Sequence, residues 1–206
     1  MLISKQQIFR CERQPIWWKC IGLPCLVFVF LLSTPVFAAE IEGVHVPETI
    51  TVAGQTLQLN GAGVRTKFFF DIYVGALYLS RPAHQAKQAI TDAGPKHMSM
   101  YFLYGEVGRK KLVDGWVEGF EKNQSKEAMA RLKPRLSQFN AMFGDARKGD
   151  VYMFDFLPDG STTVTFNGQE KGHVQGDDFQ QALLAVWLGK HPADKDLKKA
   201  MLRGGE

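Results

Sequence analysis

The chain has 206 residues, 45% of them hydrophobic and 22% charged, which is enough for one ordinary domain with a sizeable core. Four of its 25 basic and one of its 21 acidic residues precede residue 39, so residues 39–206 carry 21 positive and 20 negative side chains. This balance excludes the basic surface that nucleic-acid binding requires, and it does not predict attraction to anionic lipid headgroups.

The N-terminal segment predicts a signal peptide. Four basic residues precede an apolar run over residues 21–37, and the sequence around Ala38 fits cleavage before Ala39. The run is short for crossing a hydrocarbon layer of about 30 Å. We therefore predict a leader over residues 1–38, a domain over 39–206, and a periplasmic or otherwise exported protein with no permanent anchor after cleavage. A leader retained as a membrane anchor is the alternative.

All three cysteines, Cys11, Cys20 and Cys25, lie in the predicted leader. The domain that follows therefore has no disulfide framework, no thiol nucleophile and no thiolate metal site. Its stability must come from its hydrophobic core.

The domain opens with strand signals. Residues 44–52 and 56–59 predict short strands joined at Gly54, a residue suited to a positive φ. Residues 61–80, GAGVRTKFFFDIYVGALYLS, are rich in aromatic and β-branched side chains and predict a further strand. One face of that strand starts charged and turns apolar, which fits either a ligand pocket or an ordinary strand with one solvated end.

The rest of the chain carries both helix and strand signals. Apolar spacing and helix-ending signals predict helices over 82–93, 107–120 and 126–143, the last kinked or restarted at Pro134. Strand composition recurs at 96–104, 151–156, 162–166 and 171–174.

The C-terminal part carries two sharper local signals. Asn167-Gly168, between two β-rich runs, predicts a hairpin with a type I′ turn. Asp177, with Gln180 three residues later, predicts an N-cap and capping box for a helix that ends at Gly189, and a short helix follows Asp194. Strands grouped at both ends, with paired helices between them, predict an α+β fold.

The sequence predicts neither a cofactor nor a metal site. The five histidines are scattered, with no spacing that a carboxylate could complete into a metal site. Gly61-x-Gly63 is not followed by a helix, so it does not meet the context of a dinucleotide site. No residue pattern requires catalysis, and we assign no catalytic residue.

Arg65 and Tyr73 are the strongest candidates for ligand binding. The guanidinium offers a planar fork of donors to a carboxylate or enolate oxygen, and a tyrosine hydroxyl could share that oxygen. In one straight strand the two side chains would be about 26 Å apart, so they meet only if the chain bends or reverses between them, near residues 69–71. The alternative is that Arg65 pairs with Asp71 or water while Tyr73 belongs to the core.

Apolar side chains around this pair could hold an acyl or aryl group. The candidates for this pocket lining are Phe68, Phe70, Leu77, Trp116 and Trp187.

Two stretches resemble the chalcone isomerase superfamily. Residues 61–67 (GAGVRTK) and 72–79 (IYVGALYL) resemble the superfamily's arginine segment. Residues 164–189, with Asn167-Gly168 and ALLAVWLG at 182–189, are similar to its bacterial, exported, isomerase-like branch. The resemblance implies an open-faced β-sandwich, in which a large antiparallel sheet carries a layer of helices and the ligand cleft lies between them.

The resemblance also implies roles for the two candidate residues. An arginine that orients substrate in the plant isomerases corresponds to Arg65, and fatty-acid-binding members have an arginine and a tyrosine that grip the carboxylate, here Arg65 and Tyr73. The plant enzymes also need a tyrosine with an asparagine seven residues later, whereas Tyr101 and Tyr104 are followed at that distance by Gly108 and Lys111.

These observations favour a non-catalytic binding protein for a fatty acid or a similar amphipathic carboxylate. The first alternative is an intramolecular lyase or isomerase acting on a chalcone-like aryl enone. The second is a scaffold for an unknown protein partner, in which side chains fill the cleft. The sequence names neither the ligand nor the oligomeric state.

Overall fold

The structure is a computed structural model that describes residues 39–204, all within one compact unit. The predicted leader lies outside the described residues. The helices are α1 (Ala86–Thr91), α2 (Arg109–Asn123), α3 (Lys126–Asn140), α4 (Asp177–Leu188) and α5 (Lys195–Met201). The strands are β1 (Ala39–Ile41), β2 (Val44–Val46), β3 (Thr49–Val52), β4 (Gln55–Lys67), β5 (Phe70–Leu79), β6 (Lys96–Phe102), β7 (Glu106–Val107), β8 (Ala146–Arg147), β9 (Val151–Phe156), β10 (Ser161–Phe166) and β11 (Gln169–Gln175).

Seven strands form one antiparallel sheet in the order β11-β10-β9-β6-β5-β4-β3. Apolar side chains of α2, α3 and α4 pack with those of β5, β6 and β9 to form the main core, which is rich in aromatic rings. This arrangement confirms the predicted α+β fold, a large antiparallel sheet with a layer of helices. Within residues 39–204, no helix is both long and apolar enough to cross a membrane.

A smaller apolar cluster lies on the opposite face of the sheet. It joins Val74, Ala76 and Tyr78 of β5 to Val46 of β2. The Tyr78 hydroxyl donates a hydrogen bond of 2.9 Å to the Pro47 carbonyl. The hairpin β1–β2 therefore packs on this outer face, close to the start of the domain.

The prediction of one strand over residues 61–80 is wrong. The chain reverses at Phe68 and Phe69, so that β4 and β5 form a long antiparallel hairpin. Phe68 has a φ of 58°, in the left-handed region that bulky residues rarely adopt. The three consecutive phenylalanines have strand composition and lack the Asn-Gly or Asp-Gly pair that usually marks such a turn.

Glycines in this hairpin allow α5 to lie against the sheet. A Cβ at Gly61 would be 2.1 Å from the Ala200 carbonyl oxygen, and one at Gly63 would be 2.6 Å from the Ala200 Cβ. The adjacent Asn60 is buried, and its side-chain amide donates to the carbonyls of Ala83 (2.9 Å) and Met201 (2.7 Å). The glycine pair therefore permits close packing of a helix.

Several local predictions differ from the structure. The first helix is shorter than predicted, and α3 continues through Pro134 without restarting. The capping box is also wrong. Gly176 is the N-cap of α4, and the Gln180 amide donates instead to the carbonyls of Leu157 and Ser161. Both carbonyls lie at the connection between β9 and β10, and they satisfy the amide of the buried Gln180.

The two glycine turns are confirmed. Asn167 and Gly168 have φ values of 51° and 79°, as a type I′ turn requires, and Gly54 has a φ of 76°.

Candidate functional site

Arg65 and Tyr73 are brought together by the β4–β5 hairpin. They are register partners on neighbouring strands, and the guanidinium carbon lies 5.6 Å from the centroid of the tyrosine ring. This distance is within the range of a cation–π contact. The chain reversal thus removes the separation that a straight strand would impose.

The Arg65 guanidinium has an unused donor. Its Nε is buried and makes no hydrogen bond, and Arg65 forms no ion pair within residues 39–204. Asp71, the alternative partner, accepts a hydrogen bond of 2.8 Å from the Thr66 hydroxyl instead. A buried N–H without an acceptor is costly, so this donor is a candidate for binding an acceptor atom of a ligand.

Tyr73 is buried beside this donor. Its hydroxyl oxygen accepts a hydrogen bond of 2.9 Å from Trp187 Nε1, so the phenolic proton stays available to another acceptor. Burial raises the pKa of Tyr73 above 10.0, an effect that Arg65 and the Trp187 hydrogen bond oppose. Tyr73 is therefore neutral at physiological pH and can donate to a carboxylate.

Asp194 fixes the strand end next to Arg65. Its Oδ1 accepts from the backbone amides of Asp196 (2.8 Å) and Leu197 (2.9 Å) and so caps α5. Its Oδ2 accepts from the Thr66 amide at 3.1 Å. The cap of α5 and the arginine segment of β4 are therefore held by one carboxylate.

Basic side chains near Arg65 lower the pKa of a carboxyl group on helix α2. Hydrogen bonding and charge from Lys122 lower the pKa of Glu118, with smaller effects of the same sign from Lys67 and Arg65. The exposed end of the site is thus a mixed-charge surface around Arg65.

Leu77, Trp116 and Trp187, three of the predicted lining residues, are buried in the main core. The rings of Trp116 and Trp187 lie 5.3 Å apart, and Trp116 also contacts Phe139, Phe143 and Phe154. Trp116 Nε1 is buried without a hydrogen-bond partner. These three side chains therefore belong to the packed core.

Phe68 and Phe70 are placed differently. They lie at the tip of the β4–β5 hairpin, where 84% and 54% of their surfaces are exposed. The ring of Phe70 packs edge-on against Tyr104 at 5.4 Å. The structure therefore does not bring these two residues into a buried lining.

In the described part of the chain, two cavities on the helical side have neither Arg65 nor Tyr73 in their walls. The first, of about 270 Å³, lies between α1, α3 and α4. The second, of about 360 Å³, is open to solvent and basic, with Lys122, Lys190, His191, Pro192 and Lys195 at its walls.

A hydrogen-bonded group that the sequence did not reveal joins β6 to β9. His97 Nδ1 lies 2.6 Å from Asp155 Oδ1, and His97 Nε2 lies 2.6 Å from the Ser99 hydroxyl. This is the connectivity of a nucleophile, base and carboxylate. Ser99 is only 1% exposed, and His97 packs against Tyr78 on the outer face of the sheet, so substrate has no access to the hydroxyl. The group therefore serves to satisfy buried polar atoms.

The spacing His97-x-Ser99 could have placed both side chains on one face of a strand, but nothing in the sequence pairs them with Asp155, 58 residues away. Within residues 39–204, no three His, Cys, Asp or Glu side chains cluster closely enough to hold a metal ion.

Comparison with known proteins agrees with this architecture. A crystal structure of an Arabidopsis thaliana fatty-acid binding protein superimposes with a TM-score of 0.63 over 82% of this chain and 97% of that one, at 13% sequence identity. This likeness shows the fold. No curated protein matches the sequence significantly. The profile of the chalcone isomerase-like family matches residues 38–203, and the chain belongs to that family.

Proposed function

We propose that this protein is a non-catalytic binding protein for a fatty acid or a similar amphipathic carboxylate, held at Arg65 and Tyr73. The observation that carries the proposal is the buried Arg65 Nε without an acceptor, beside a neutral phenol. A carboxylate oxygen would satisfy both donors, and such charge-assisted hydrogen bonds are among the stronger ones in proteins. The fold is shared with a fatty-acid binding protein, which supports the same ligand class.

The acyl chain needs space that aromatic side chains now fill. Trp187 is held by its hydrogen bond to Tyr73, whereas Trp116 Nε1 has no partner and no bond to lose when the ring turns. We therefore assign the opening of the acyl site to a rotation of Trp116, away from Trp187.

The packed core supports a second candidate function. If Trp116 stays in place, the family fold would act as a scaffold for a protein partner. The two functions differ in one property, because only the first requires a small acid to bind.

Binding of palmitate separates the two candidates. Native mass spectrometry of protein purified without detergent should show one bound acid, or one palmitate after titration. Replacing the guanidinium in Arg65→Met should weaken binding about tenfold to a hundredfold, because hydrogen bonds to charged groups contribute about 1.5–3 kcal/mol. A wild-type protein that is empty and does not take up palmitate would exclude acid binding and leave the scaffold.

Arg81→Met is the matched control. Arg81 is exposed and pairs with Asp92 at 3.2 Å on the surface, so removing its charge should leave palmitate binding unchanged. Equal losses in both variants would point to a general charge effect and not to a site at Arg65.

We also propose that the domain acts in the periplasm or another exported location. The support is the basic and apolar leader over residues 1–38 and the absence of cysteine after it. N-terminal sequencing of the protein recovered from the periplasm should begin at Ala39, whereas a retained leader would leave the full chain with the membrane fraction.

A further inference from the structure

The tip of the β4–β5 hairpin carries a set of side chains that the acid site does not use. The rings of Phe68 and Phe69 are 84% and 96% exposed, and that of Phe70 is 54% exposed. These three residues, 68–70, are called the aromatic tip below. Within the described part of the chain they are the large hydrophobic side chains most open to water.

The aromatic tip is not required by the fold. Neither apolar cluster of the domain includes Phe68 or Phe69. Phe68 also adopts a φ of 58°, where glycine or asparagine would be less strained. Contiguous exposed apolar groups of this kind mark interaction sites.

We infer that the aromatic tip inserts into the interfacial region of a phospholipid bilayer. Three partly exposed rings on a turn bury less area than the roughly 800 Å² per partner of a stable protein interface. Exposed phenylalanine rings can instead insert singly among the acyl chains just below the headgroups.

The charges around the tip point to the kind of lipid surface. Lys67 and Asp71 flank the three rings, one of each sign, and the domain as a whole is close to neutral. Electrostatic attraction to anionic lipid is therefore not the driving force. The driving force is the insertion of the apolar rings, so binding should also occur on zwitterionic membranes.

Insertion of the aromatic tip would place the acid site next to the membrane. Phe68 follows Arg65 by three residues in the same hairpin, so a docked tip brings the guanidinium close to the headgroup layer, where fatty acids partition. The uptake of a fatty acid from the membrane rests on the proposed acid-binding function. Insertion of the aromatic tip does not depend on it.

The test uses the chain from Ala39 to Glu206, since the described residues all fall within one compact unit. Phe69→Trp places a fluorescent ring at the tip, while the other two tryptophans, Trp116 and Trp187, are buried. Vesicles of phosphatidylcholine with brominated acyl chains should quench this tryptophan. The matched control is Gln169→Trp at the polar β10–β11 hairpin, which should not be quenched.

A second variant tests the contribution of the ring. Phe69→Ser should weaken flotation with phosphatidylcholine vesicles about tenfold or more, which is the effect of withdrawing one phenylalanine from an apolar environment. Unchanged flotation, or equal quenching at positions 69 and 169, would overturn the inference. Self-association of the wild-type chain without vesicle binding would overturn it in favour of a protein interface.

Arg65→Met distinguishes this inference from the proposed function. In the Phe69→Trp background it should weaken palmitate binding about tenfold to a hundredfold and leave quenching by vesicles in place. Quenching in a protein that never binds palmitate would refute acid binding but not docking. Palmitate binding in solution without any quenching would refute docking but not acid binding.

Discussion

Trp187 Nε1 donates a hydrogen bond of 2.9 Å to the hydroxyl of Tyr73, and Arg65 lies across the hairpin against the ring of the same tyrosine. One phenol thus connects the helical layer, the sheet and the guanidinium. The consequences of this connection can be measured on the protein without any ligand.

Tyr73→Phe should lower the free energy of unfolding by about 1–3 kcal/mol, because it leaves the buried Trp187 Nε1 without an acceptor. Urea denaturation followed by circular dichroism would measure the loss. The double variant Tyr73→Phe/Trp187→Phe removes both polar groups and should be more stable than the sum of the two single changes predicts. Additive losses would mean that the hydrogen bond contributes nothing.

Gly61→Ala should destabilise the domain by more than 2 kcal/mol, since the new Cβ would lie 2.1 Å from the Ala200 carbonyl oxygen, a backbone atom. Thermal unfolding would show the loss. Gly115→Ala is the matched control, because no atom lies within 4 Å of a Cβ there and alanine favours a helix by up to about 1 kcal/mol. A tolerated Gly61→Ala would contradict the close approach of α5.

The ion pair between α3 and α4 should make stability depend on acid pH. Arg135 donates to both carboxylate oxygens of Asp178, at 2.6 and 2.7 Å, and this bonding lowers the pKa of Asp178 below 3.8. A depressed carboxyl pKa stabilises the folded state above the unfolded value and loses this effect as the pH falls through the folded value.

Asp178→Asn should therefore cost up to about 1 kcal/mol at pH 7, a modest figure because the carboxylate is half exposed. The difference between variant and wild type should shrink once the pH drops below 3.8. Unfolding in urea at pH 7 and pH 3 would measure the difference in free energy of unfolding between the two proteins. A difference that is larger at pH 3 would contradict the lowered pKa of Asp178.

Ser99 should not react with fluorophosphonate probes in the native protein, although its hydrogen bond to His97 has the length seen in serine hydrolases. The reason is burial, since 1% of its surface is exposed. Intact-mass spectrometry would detect any adduct, and labelling that disappears in Ser99→Ala would reveal a nucleophile. Asp155→Ala should cost about 1–3 kcal/mol, because His97 would lose a buried partner.

Much of the architecture could be predicted, because it depends on neighbours in the chain. The Asn167-Gly168 turn needs only two residues that tolerate positive φ, and the apolar stripe of α4 needs only a period of 3.6. The family resemblance then supplied the arrangement of sheet and helices. Side-chain chemistry alone made Arg65 and Tyr73 candidates, and the resemblance implied the same two residues, although the local pattern left them eight residues apart on a straight strand.

Other features depend on contacts between distant segments. The reversal at Phe68 and Phe69 follows from pairing along the whole β4–β5 hairpin, although the aromatic run itself favours extended backbone. The turn that this pairing forms leaves the rings of Phe68 and Phe69 exposed.

The order of residues alone therefore predicted most strands and helices, a candidate site for an acidic ligand and an exported location, since each of these predictions depends on composition or short-range periodicity. The exported location stays a prediction. The tertiary fold decided which buried donors lack acceptors, which glycines admit α5, and that Trp116 and Trp187 pack together in the main core. These properties depend on close packing between elements that are remote in sequence, and no local pattern encodes the distance between two such side chains.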